Sequence, residues 1–124
     1  MKKILIVDDE PEFLAILKST LEIRGFEVTA TTNAVEAGLW MATQVPGVIL
    51  MDIKMPGIDG FQACEAIRRN PATKDIPIII VSALSDDVYV RKAARMNLAA
   101  YFTKPVDMEK LINKIREILG VTNE

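Results

Sequence analysis

The chain has 124 residues, the length of one ordinary domain with a single hydrophobic core. Half of it is apolar, 26% is charged and the net charge is −2, so neither nucleic acid nor an anionic membrane is attracted electrostatically. The single cysteine, Cys64, excludes an internal disulfide framework, and the absence of histidine excludes imidazole bases, His metal ligands and Ser-His or Cys-His nucleophile pairs.

The chain opens MKKILIVDDE. Its apolar run covers only residues 4–7 before Asp8 and Asp9, too short for a secretory signal or a membrane span, so a cytoplasmic location is expected. A helix follows over 11–24, with Phe13, Leu17 and Leu21 as its core stripe and Leu14 beside it. Ile16 and Ile23 project from another side, either as scattered surface residues or as a docking patch. Gly25 stands where a left-handed helix end is expected. A strand over 26–30 leads to Asn33 and Glu36, which resemble a capping box opening a helix over 34–43. Trp40 reads as packing on that helix.

The next run, 48–51, is a buried strand that delivers Asp52 at its end. A Met-Pro-Gly turn leads to a helix over 59–69, on which Cys64 is a small core residue. A strand over 76–81 closes at Ser82, and a helix over 86–96 ends at Asn97, a residue that tolerates the left-handed region. The last strand, 99–102, is followed by Lys104 and Pro105. Asp107 is the N-cap of a helix over 107–119 that ends at Gly120. The strand runs are apolar on both faces, which places them in a parallel sheet under helices on both sides. The strand–helix unit occurs five times, giving an α/β three-layer sandwich with right-handed crossovers.

In such a sheet ligands bind at the carboxyl ends of the strands. Asp8, Asp9, Asp52, Ser82 and Lys104 all follow or close strands at that edge. Each alone reads as a cap or turn residue; together they suit phosphoryl transfer. Clustered carboxylates suit Mg2+, an aspartate beside Mg2+ is a nucleophile, and a lysine and a hydroxyl neutralise and bond the transferred group.

The stretches IVDDE at 6–10, MDIKMPGIDG at 51–60, VSA at 81–83 and YFTKP at 101–105 resemble the receiver domain of two-component response regulators, of the single-domain chemotaxis-regulator kind. The resemblance spans the chain and implies one receiver domain over 1–124, with a flavodoxin-like α/β/α sandwich and a five-stranded parallel sheet of order 2-1-3-4-5 with five helices. It implies that Asp52 is the phosphoacceptor and that Asp8, Asp9, Asp52 and the Lys54 backbone carbonyl hold Mg2+, with Mn2+ as a substitute. Ser82 and Lys104 would contact the phosphoryl group, the Lys104–Pro105 peptide would be cis, and Ser82 with Tyr101 would form the switch. The implied partners are a histidine kinase or histidine phosphotransfer protein, met by Ile16 and Ile23, and a downstream protein met by the fourth helix, fifth strand and fifth helix. Tyr89, Val90 and Arg91 are candidate contacts on that second surface. No nucleic acid, no membrane, and a monomer or phosphorylation-dependent dimer are expected.

The chain departs from many relatives in carrying Ser82 where threonine is common and Asn97 where glycine is common. Lys54 and Leu84 occupy positions that tune phosphoryl lifetime. Two other readings remain: a phosphorylation-independent interaction module on the same fold, and the receiver portion of a larger regulator or hybrid kinase. A haloacid dehalogenase-type phosphohydrolase would need a second aspartate where Lys54 stands. A flavodoxin would need a Ser/Thr/Gly-rich loop where Asp8-Asp9-Glu10-Pro11 stands.

Overall fold

The computed structural model describes residues 3–121, and strands and helices alternate through all of them. The order is β1 (Lys3–Val7), α1 (Pro11–Ile23), β2 (Glu27–Thr31), α2 (Ala34–Met41), β3 (Val48–Met51), α3 (Gly60–Arg69), β4 (Ile78–Ser82), α4 (Asp87–Arg95), β5 (Ala100–Thr103) and α5 (Met108–Leu119). All four strand pairings are parallel, and the order across the sheet is 2-1-3-4-5, as expected.

Side-chain alternation along the strands divides the interior into two layers. Leu5, Val7, Ile49, Met51, Ile78 and Ile80 face α2, α3 and α4. Ile4, Ile6, Val48, Leu50, Ile79 and Val81 face α1 and α5. Cys64 is fully buried on α3, and burial pushes its thiol up to about 12. The stripe that α1 buries is Leu14, Leu17 and Leu21. Phe13, expected in that stripe, is only half-buried at the edge of the core. One face of a helix holds about three apolar residues in two turns, and Leu14 takes the central place. Ile16 and Ile23 are exposed.

Element ends differ from the sequence reading by one or two residues, each for a local reason. Phe26 precedes β2 because its N–H closes the end of α1 on the Leu21 carbonyl. β4 begins after Pro77, which has no N–H to give to a ladder but whose carbonyl accepts from Ile49 N–H at 3.0 Å. Asn33 Oδ1 caps α2 by accepting the Glu36 N–H, while a full reciprocal box forms at Asp59 and Gln62 ahead of α3. Gly25 and Gly120 both take positive φ at helix ends, as expected.

Asn97 does the same after α4, with φ 63, and the Asn97 and Leu98 N–H groups return to the Ala94 and Ala93 carbonyls. This left-handed turn sends the chain back into β5. A β-branched residue there carries steric strain. Urea unfolding is expected to show Asn97→Val less stable by about 1–2 kcal/mol, with Asn97→Gly within about 0.5 kcal/mol of the parent.

Candidate functional site

The register sets the strand ends level: Val7 lies beside Thr31 and Met51, Met51 beside Ile80, and Ser82 beside Thr103. Ladder bonds run past the strands. Asp8 N–H donates to the Thr31 carbonyl at 3.1 Å, Asp52 N–H to Val7 at 2.9 Å, and Lys104 N–H to Ser82 at 2.8 Å. Three loops therefore leave the sheet in fixed directions, and their first side chains converge.

Asp8 and Asp52 are both buried, at 2% and 5% exposure. Asp8 Oδ1 accepts the Glu10 N–H at 2.9 Å, and Asp8 Oδ2 accepts from Lys104 Nζ at 2.9 Å. Lys104 Nζ also bonds Glu10 and stands 3.7 Å from Asp52 Oδ2. The Phe13 ring lies under the same ammonium, 4.3 Å from Nζ to its centroid, which explains its position at the core's edge. Lys104–Pro105 is cis. Carboxylate oxygens of Asp8, Glu10 and Asp52 all lie within 4.8 Å of one another.

Glu10 belongs to this group although the sequence reading put Asp9 there. Successive residues leaving a strand point to opposite sides, so Asp8 and Glu10 share a side; the i, i+2 spacing was the available signal. Asp9 is half-buried and stands outside that trio, but it lines the same cavity of about 280 Å3 together with Asp52, Lys54, Ser82 and Lys104.

Gly60 is a second residue that sequence reasoning passed over. A Cβ there would lie 2.1 Å from the Asp52 carbonyl oxygen and 2.7 Å from Ile53 Cα. Only glycine allows α3 to start this close, with its N–H on the Ile53 carbonyl at 2.7 Å. The Asp-Gly pair in the quoted motif was the clue.

Ser82 is fully buried, and its Oγ accepts the Leu84 N–H at 3.2 Å. Tyr101 is half-buried on β5, and its hydroxyl donates to the Leu84 carbonyl. Burial raises the Tyr101 phenol above its ordinary value, partly offset by a bond with Ser82. Ser82, Leu84 and Tyr101 are thus one connected group beside the acids.

Burial and then the Asp8 charge push Asp52 up to about 6, against the opposing pull of Lys104. Asp8 is raised by burial despite its bonds to Lys104 and Glu10. Burial alone would lower Lys104; its bonds to Glu10 and Asp8 outweigh that and raise it. Hard carboxylate oxygens, crowded and under-neutralised by one ammonium, are a donor set that fits a small divalent cation.

The sequence matches the family described as the response regulator receiver domain over residues 4–116. The chain belongs to that family. Among curated relatives, the receiver is 37% identical to Protein PilH of Pseudomonas aeruginosa over 120 residues, covering 97% of this chain and 99% of PilH. It is 32% identical over 124 residues to the DNA-binding dual master transcriptional regulator RpaA of Synechocystis, covering 99% of this chain and 51% of RpaA. The chain therefore spans about half the length of RpaA and nearly all of PilH. Among solved structures, the response regulator TrrA of Thermotoga maritima, in complex with Mg(2+)-BeF, superposes with a TM-score of 0.84 at 31% identity, over 96% of this chain and 100% of that one. The acidic pocket of Asp8, Glu10 and Asp52 fits the phosphoacceptor site of a receiver. Among the described residues, no helix of this receiver is long and apolar enough to cross a membrane.

The raised Asp52 has a stability consequence. Its folded value of about 6 exceeds the unfolded 3.8, so its stabilising contribution is full below about pH 4 and lost as pH rises through 6. Without divalent cation the charged carboxylate costs the fold on the order of 2–3 kcal/mol. In EDTA, Asp52→Asn is expected to unfold at higher urea than the parent at pH 7.5, and the difference should shrink on lowering the pH to 4.5. A variant no more stable than the parent at pH 7.5 would contradict this electrostatic account.

Proposed function

We propose that the whole chain acts as one receiver domain in which Asp52 takes a phosphoryl group from the phosphohistidine of a partner kinase or phosphotransfer protein. The observation that carries this reading is the convergence of buried Asp52, Asp8 and Glu10 on the single ammonium of Lys104, at the wall of an open cavity. An Asp52 carboxylate oxygen attacks phosphorus. The O–P bond forms as the P–N bond breaks, and its electron pair leaves with the donor imidazole. Asp8, Asp9, Glu10, Asp52 and the Lys54 backbone carbonyl are the groups that would hold Mg2+ or Mn2+. When bound, that ion would neutralise the phosphoryl oxygens. Such donors and the enzymes that load them work in the cytoplasm, which is where this reading puts the chain. Beyond its own phosphotransfer and dephosphorylation, the chain acts as a signalling part rather than an enzyme.

The new dianion then competes for groups already in place. Lys104 exchanges Asp8 and Glu10 for a phosphoryl oxygen. The Ser82 hydroxyl turns toward another and leaves the Leu84 N–H. Leu84 also holds Tyr101 through its carbonyl, so a shift of this loop reaches β5 and α4 directly. Driving such a two-state element from mostly off to mostly on takes about 5 kcal/mol of differential stabilisation. A few charge-assisted hydrogen bonds supply that. The surface that changes is α4, β5 and α5, where Val90 and Arg91 are exposed and Tyr89 is half-buried. It would meet a downstream protein, with monomer and phosphorylation-dependent dimer both compatible. Ile16 and Ile23 on α1 are the proposed contacts for the phosphodonor.

Acetyl phosphate with Mg2+ is expected to add one hydroxylamine-labile phosphoryl group, read by intact mass. Asp52→Asn should abolish it. Lys104→Ala should still bind Mg2+ but lose the phosphorylation-linked amide shifts in α4 and β5. Labelling of Asp52→Asn at the parental rate would overturn the assignment.

A further inference from the structure

A second cavity lies away from the acids. A half-open groove of about 500 Å3 runs between α2 and α3. Its lining mixes small residues, Ala34 and Gly38 on α2 and Ala63 and Ala66 on α3, with larger ones such as Met41 and Ile58. Helices with such small facing residues can close on each other unless something holds them apart. Here α3 is held at both ends. Gly60 fixes its start against Ile53, and Arg68 fixes its end by donating to the Lys74 and Ile76 carbonyls at 3.0 and 2.8 Å. The space therefore stays unfilled by this chain.

The groove has one charged end. Arg69 lies on its rim, exposed, with no ion-pair partner among the described residues. The opposite wall carries little charge: Glu36 is the one charged residue of α2, while Val35 and Leu39 on the same helix are 63% and 69% exposed. Ile58, also on the groove, is 44% exposed. The other polar side chains of the groove, Gln62, Asn70 and Thr73, are bonded to the backbone of this chain, so a largely apolar trough with one unpaired guanidinium complements an apolar chain with a single carboxylate. The volume is that of a small-ligand site, and one unpaired guanidinium suits one carboxylate head.

We propose that this groove binds a free medium-chain carboxylic acid, its chain between the small residues of α2 and α3 and its head on Arg69. The proposal rests on the shape and charge of the groove and does not depend on phosphotransfer at Asp52.

The test is a titration of the 15N-labelled chain with octanoate, and with 1-octanol as the headless control. Expected are saturable amide shifts confined to α2, α3 and the segment around Ile58, complete by about 1 mM. The alcohol should bind at least about fivefold more weakly, and Arg69→Gln should bring octanoate to the alcohol's level. Gly38→Leu should block both ligands; a Cβ at Gly38 meets nothing within 4 Å. Ala66→Leu, also at an exposed helical position, is the second blocking variant, and thermal melts establish that each is folded. The proposal is overturned by unchanged octanoate binding in both folded blocking variants, by no saturable shift at 1 mM, or by equal shifts at the exposed apolar residues of α1 and α4, which would mean non-specific adhesion.

Discussion

Like charges held together out of water govern this molecule. Asp8 and Asp52 are buried side by side with Glu10 close by, and one ammonium, Lys104, answers all of them. Removing charged groups from water is costly unless they are paired, and here the pairing is incomplete. The residual cost is visible in the raised Asp52 carboxyl. The rest of the architecture serves to hold that unfavourable arrangement in place. The parallel ladder extends past β1, β3 and β5 to aim the loops, and both core layers grip the strands from either face. A stable apolar sheet thus carries an under-neutralised polar edge, a donor set that fits a small divalent cation.

The coupling outward is short. Ser82 and Tyr101 both bond Leu84, the one at its N–H and the other at its carbonyl. A single peptide neighbourhood thus links the acidic edge to β5 and to the loop that begins α4.

Much of this was legible before any coordinates. Apolar runs of four to six residues separated by helical patterns gave the parallel sandwich, because burial on both faces leaves no alternation to misread. Asp52, Ser82 and Lys104 were visible because each stands at a strand end. What escaped was set by three-dimensional direction. Phe13 fits the helical period, yet it sits beneath Lys104, which lies ninety-one positions later in the chain. Glu10 was hidden behind the more conspicuous Asp8-Asp9 pair. The role of Gly60 depends on how near α3 comes to a carbonyl of β3's exit, a distance no spacing rule encodes. Element ends slipped where one local bond, such as Phe26 on Leu21, outranked strand propensity.

The state of Cys64 has a practical consequence. The lone thiol of the chain is sealed inside α3's packing and resists ionisation, so it is a poor nucleophile toward maleimides and iodoacetamides at neutral pH. A reporter cysteine introduced on α4 or α1 would therefore take a fluorophore or spin label selectively, with the native residue left untouched. The natural sequence is already a suitable background for distance measurements across the sandwich.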